Sequence, residues 1–88
     1  MMGLVRRNHS RQVMGGVALA ATVRNDVLAW LRAHPDGATA DEIALELRRS
    51  PFTIRPRCTE LGRTGLIHDS GARRKNASGR NAIVWVEG

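Results

Sequence analysis

Between Thr22 and His34 the apolar residues Val23, Val27, Trp30 and Leu31 fall at the i, i+4, i+7, i+8 spacing of an amphipathic helix, and Leu28 widens the stripe. Pro35, Asp36 and Gly37 end it. The next segment opens with Thr39, Ala40, Asp41 and Glu42, a capping box. In it the threonine hydroxyl accepts from an N–H three residues on while the glutamate reaches back. Ala40, Ile43, Ala44 and Leu47 then share one face of a short second helix, which ends near Arg48 or Arg49. A third helix follows, with Ile54, Cys58 and Leu61 as its buried face. Two starts compete for it. Ser50 and Pro51 form a cap and first-turn pair, but a start there places Pro56 inside the helix at a cost of up to about 3 kcal/mol. With Thr53 as N-cap, Pro56 falls in the first turn, and this later start is preferred. Gly65 is the expected C-terminal glycine, because the apolar run resumes at Leu66 and Ile67.

The remainder reads as a β-hairpin, with Leu66 to Ser70 as one strand and Ala82 to Val86 as the other. Between them "GARRKNASGRN" is expected to form a long projecting loop of eleven residues with four cations and no acid. Trp85 and Ile83 lie opposite Ala82, Val84 and Val86 on the second strand. Either the strand is covered on both sides or the Ile83/Trp85 face meets a partner. Trp30 reads as core.

The first 21 residues stand apart from this periodic body. They are basic, then apolar, and the order resembles a secretory signal, but the apolar run is short and broken by Gly15 and Gly16. A basic arm, a helical extension that packs on a partner subunit, or a start at Met14 remain open. The expected division is therefore an N-terminal arm over 1–21 and one domain over 22–88, within the size range of a single folded unit.

Composition narrows the function. The formal charge is +6, and thirteen of the fourteen cations are arginine. Alanine is also abundant, so part of that excess fits codon bias in a GC-rich genome, and its placement says more than its total. Residues 1–24 carry four arginines and no acid; residues 25–47 carry one arginine against five acids; residues 48–88 carry nine cations against three acids. An anionic partner is indicated for the C-terminal half, beside an acidic middle. Cys58 is the only cysteine, which excludes an internal disulfide and a thiolate zinc site and fits a reduced cytoplasmic protein. No stretch approaches the roughly 20 apolar residues of a membrane span.

Three helices followed by a hairpin is the order of a winged helix-turn-helix, an α+β and mainly helical fold. The span from about Val23 to Val86 resembles the winged-helix DNA-binding domains of MarR-like regulators and of small phage and prophage proteins. The resemblance is carried by "GATADEIALELRRSPFTIRPRCTELGRTGLI", whose last nine residues match the family's "reLe+eGLI" ending. It implies that Ala38 and Thr39 form a short first strand, Ile43 to Leu47 the positioning helix, and Thr53 to Arg63 the recognition helix. It also implies a bacterial or phage transcription regulator, cytoplasmic and associated with the nucleoid. Pro56 is unusual in a recognition helix, and flanking dimerisation helices are missing unless the first 21 residues supply one.

With Ile54, Cys58 and Leu61 inward, Arg55, Pro56, Thr59 and Arg57 face outward or sideways. A guanidinium can donate two N–H groups to a guanine edge, and Thr53 can meet a phosphate or a thymine methyl. In the wing, Arg73, Arg74, Lys75 and Arg80 suit a sugar–phosphate rail or a narrow minor groove, and Arg48 and Arg49 suit backbone contact. The expected partner is double-stranded DNA. Trp30, Phe52 and Trp85 are spread over three elements, too few for the aromatic platform that unpaired bases require. A homodimer would supply the specificity that one half-site lacks.

Nothing in the chain suggests catalysis, a metal or a cofactor. Cys58 falls on an apolar face, His9, His34 and His68 occupy separate elements, and the glycines have no phosphate-loop context. The rival expectation is a small phage protein that docks on a host polymerase, nuclease or replication protein, using the acidic stretch Asp36 to Glu46 or the Ile83/Trp85 face.

Overall fold

The structure, a computed structural model, describes residues 19–88. Most of the basic arm expected over 1–21, including Arg6, Arg7 and Arg11, lies outside the described residues. The first helix, α1, covers residues 19–33, so helix is already present three positions before Thr22. Val23, Val27 and Leu31 are fully buried, as the stripe requires. Trp30 is only partly buried. It packs on the margin of the core and stacks on His34, with ring centroids 3.8 Å apart. The His34 Nδ1 nitrogen lies 2.7 Å from the Trp30 carbonyl oxygen, one turn back.

After the turn at Pro35 and Asp36, Gly37 takes a φ of +77°. The Gly37 backbone passes so close to the Trp85 carbonyl that a β-carbon there would overlap it. This approach lets Ala38 pair with Trp85 through two backbone hydrogen bonds of 3.0 and 2.8 Å, so the expected first strand is a single bridge. Thr39 is buried and makes both halves of the capping box: its hydroxyl accepts from the Glu42 N–H at 3.2 Å, and its own N–H donates to the Glu42 carboxylate at 3.0 Å. Helix α2 then spans Ala40–Leu47, with Ile43 and Ala44 buried.

The turn to the next helix is built around Arg48, which adopts the left-handed conformation at φ 55°. The Arg48 N–H donates to the Leu45 carbonyl and the Arg49 N–H to the Ala44 carbonyl, the paired closure that usually recruits glycine. Helix α3 runs Pro51–Arg63 and starts at the Ser50/Pro51 pair, not at Thr53. The Ser50 hydroxyl accepts from the Phe52 N–H at 3.1 Å, and its carbonyl accepts from Thr53 and Ile54. Pro56 therefore sits inside the helix, where it withholds a donor from the Phe52 carbonyl. Both residues are exposed, so the loss falls on a face open to solvent, where it costs least. Gly65, at φ +80°, ends α3 as expected: the Leu66 N–H donates to Leu61 and the Gly65 N–H to Gly62.

The hairpin departs most from expectation. Strand β1 covers Ile67–Lys75 and β2 covers Asn81–Glu87, so most of the eleven-residue loop is strand and only residues 76–80 form the turn. Two features make this possible. Between the Asp69/Trp85 and Arg73/Ile83 pairs the first strand bulges, with Gly71 at φ +88° and the Asp69 carboxylate accepting its N–H at 2.8 Å. At the tip, the Asn76 side-chain oxygen accepts from the Ser78 N–H, the Ser78 hydroxyl and the Arg80 N–H. A bulge and a local side-chain acceptor thus let the polar, cation-rich segment expected as loop pair as strand.

The core gathers Val23, Val27 and Leu31 of α1, Ala38, Ile43 and Ala44 around α2, Ile54, Cys58 and Leu61 of α3, and Ile67 and Val84 of the hairpin. Trp85 is packed against it, with its six-membered ring directly over Gly62. The second face of β2 is therefore covered at Trp85 by α3 of the same chain.

Candidate nucleic-acid interface

Helix α3 carries its buried residues on one face and leaves Arg55, Pro56 and Thr59 exposed on another. Thr53 is half-buried in the first turn. Arg55 is held in a two-bond fork: its Nε and Nη2 donate to the two carboxylate oxygens of Asp41 on α2, each at 2.9 Å. The hydrogen bonds and charge of Asp41 raise the Arg55 pKa further above its ordinary value. Thr59 turns its hydroxyl back onto the Arg55 carbonyl at 3.2 Å. Arg57 points sideways and donates from Nη2 to Glu60 at 2.9 Å. Glu60 also accepts from Arg24 of α1 at 2.9 Å. That bond with Arg24, reinforced by Arg57, holds the Glu60 carboxyl below its usual range. Arg57 is thus part of a strut between α1 and α3.

The turn cations also divide. Arg49 donates to Asp26 of α1 at 3.2 Å, and Arg48 is exposed without an acidic partner among the described residues. In the wing, Arg73 forks onto Asp69 at 2.8 and 2.9 Å, which draws the Asp69 carboxyl down and raises the Arg73 pKa. Arg74 reaches Glu42 of α2 at 3.5 Å. Lys75 and Arg80 flank the tip with no acidic partner among the described residues, and Arg63, which sequence reasoning passed over, is exposed in the same way at the end of α3.

The pairing changes the picture of charge drawn from the sequence. Asp41 and Glu42, counted there as part of a separate acidic stretch, reach across to Arg55 and Arg74, so α2 borders the cationic surface instead of opposing it. A cleft of about 180 Å³ lies where these elements meet, lined by Asp41, Arg55 and Thr59 on one side and Asn76, Ala82 and Ile83 on the other. Helix α3 and the wing tip therefore open onto one surface. Phe52, at the start of α3, is 81% exposed, and the Arg55 guanidinium carbon lies 5.7 Å from its ring centre. An exposed phenylalanine beside an arginine was the signal that sequence reasoning left unused.

Chemistry at other positions is sparse. Burial pushes the Cys58 thiol up to about 12, which leaves it protonated and unreactive near neutral pH. Among the described residues no three His, Cys, Asp or Glu side chains cluster to hold a metal ion, and no helix is long and apolar enough to cross a membrane.

The sequence matches no family model and no curated protein. Among solved structures it is similar to two of MepR from S. aureus, a mutant bound to an oligodeoxyribonucleotide and a mutant from a multidrug-resistant clinical isolate. Each aligns over 100% of this chain at 22% identity with a TM-score of 0.56, while this chain spans 66% of the MepR chain, just under two thirds. The fold shared with them, three helices and then an antiparallel hairpin, is the winged helix-turn-helix.

Proposed function

We propose that the chain binds duplex DNA as a transcription regulator, with α3 in a major groove and the wing on the adjoining backbone. The observation that carries this reading is the common surface formed by α3 and the wing tip around the Arg55/Asn76 cleft, rimmed by exposed cations. The similarity to a MepR mutant bound to an oligodeoxyribonucleotide supports it. Arg55 and Thr59 face base edges and Thr53 lies near the phosphates. Arg48, Lys75 and Arg80 take phosphates directly. Arg73 and Arg74 contribute by exchanging a surface carboxylate for a phosphate, an exchange that is cheap because exposed ion pairs are worth only about 0–1 kcal/mol, whereas Arg49 and Arg57, in half-buried pairs with Asp26 and Glu60, contribute by holding α3 and the turn before it against α1.

Docking on a host protein through the acidic stretch or the Ile83/Trp85 face draws less support, because Asp41 and Glu42 are engaged within the chain and the Trp85 ring lies against Gly62. Selection from random duplex DNA tests the reading. An enriched motif is expected, palindromic if the protein acts as a dimer. Arg55→Ala should remove the preference at one or two base positions and cost about 1–3 kcal/mol on the enriched site. A wild-type chain that enriches no sequence would sink the proposal.

A further inference from the structure

Arg55 is fixed from two sides before any DNA arrives, and that arrangement suggests a division of labour in base reading. A guanidinium has five N–H donors. The Asp41 fork occupies the edge formed by Nε and Nη2, leaving both N–H groups of Nη1 and one of Nη2 free of Asp41, so that one from each nitrogen forms an end-on pair. This remaining end-on pair is the geometry that matches the two acceptors of a guanine edge. The Phe52 ring supplies the second restraint, with the guanidinium carbon 5.7 Å from its centre, within the range of cation–π attraction. Phe52 itself buries little, so packing does not explain an aromatic residue there.

Asp41 is unfavourable for DNA binding in any simple electrostatic sense, since it places a negative charge beside a groove lined by phosphates. It is also half-buried against Arg55, with its side chain 22% exposed. A charge that opposes non-specific attraction while it orients the one arginine aimed outward from the centre of α3 acts on specificity more than on affinity. A flexible arginine can reach either a base or a phosphate; one held in a single orientation loses less freedom on binding and rejects targets that do not match its fork.

We infer that Asp41 and Phe52 are positioning residues that restrict Arg55 to end-on recognition of a guanine, so that part of the base specificity of α3 is set from α2. The inference rests on the reading of α3 as the helix that enters the groove.

Selection from a random duplex library with the full chain and with its Arg55→Ala, Asp41→Asn and Phe52→Ala variants tests it. Asparagine keeps the shape of Asp41 but sets an N–H donor against one of the Arg55 donors, which breaks the fork. Arg55→Ala should erase a guanine preference, and Asp41→Asn should erase it at the same positions. The ratio of affinity for the enriched sequence to affinity for a scrambled duplex should fall about tenfold in Asp41→Asn, the low end of what one bidentate pair contributes. Affinity for the scrambled duplex should hold or rise, because a negative charge has gone. Phe52→Ala should lower the ratio in the same direction by a few-fold. Its exposed side chain can be removed without disturbing the core, so this arm stands even if Asp41→Asn fails to fold. An Asp41 that serves only the first turn of α2 would weaken both duplexes in parallel and leave the ratio unchanged, which overturns the inference while leaving duplex recognition intact. Absence of any enriched sequence with the wild-type chain overturns both.

Discussion

Arg48 occupies a backbone conformation that side chains rarely adopt, with φ at 55° in the turn between α2 and α3. The left-handed region costs a non-glycine residue about 1–2 kcal/mol, and glycine is the usual solution at such a helix end. The strain falls on a cation at the proposed duplex face, which fits the tendency of stored strain to collect at functional positions. Arg48→Gly is expected to raise stability by about 0.5–1 kcal/mol in thermal or urea unfolding and to weaken duplex binding. Unchanged stability in Arg48→Gly would show that the turn tolerates arginine without strain. Glu60 offers a second test. Its folded pKa is lowered, chiefly by Arg24, so its contribution is fully present above the unfolded value of about 4.3 and is lost as pH falls through the lower folded value. Unfolding measured from pH 7 to 3 should show a loss of stability below about pH 4.3 that is smaller in Glu60→Gln.

The local signals of the elements were legible where a residue and its partner are near in sequence. The capping box at Thr39 and Glu42, the Gly65 ending and the buried stripes of α2 and α3 all follow from spacing alone. Two elements did not yield to that reasoning. The start of α3 balances one good cap against one internal proline, and the outcome depends on Phe52 and Pro56 both facing solvent. The part of β1 beyond Ser70 is polar and opens with Gly71, so neither alternation nor hydrophobicity marks it; the register is fixed by backbone pairing and by the carboxylate and amide caps of Asp69 and Asn76. Gly37 joins the two kinds of information. It reads as a helix stop, but its positive φ and the passage of the Trp85 carbonyl against it make it the hinge on which Ala38 meets β2. Gly37→Ala is expected to cost about 3 kcal/mol, combining a left-handed side chain with an overpacked contact. A loss under about 0.5 kcal/mol in chemical denaturation, the scale of an ordinary surface change, would mean that the bridge gives way easily.

At the scale of the whole molecule, charge becomes a matter of placement. If five to seven phosphates are engaged, the logarithm of the binding constant against the logarithm of salt concentration should have a slope near −5 to −6, at about −0.9 per phosphate. Replacing Arg73, Arg74 and Lys75 with neutral residues should lower affinity for all duplexes and reduce that slope by about 2–3; an unchanged slope would remove the wing from the interface. The sequence by itself determined the order of elements, most of the core and the side of α3 that faces outward, because helical periodicity and caps act within a few residues. It also determined that positive charge concentrates in the C-terminal half. Only the tertiary structure decided which cations remain available. Asp41, Glu42, Asp26 and Asp69 meet Arg55, Arg74, Arg49 and Arg73. Of these pairs only Asp69 and Arg73 lie within one helical or hairpin turn of each other. A pairing between residues far apart in sequence depends on how α1 and α2 pack on α3, its preceding turn and the wing. That packing turned an acidic stretch and a basic stretch into one surface with Arg55 held in its carboxylate fork.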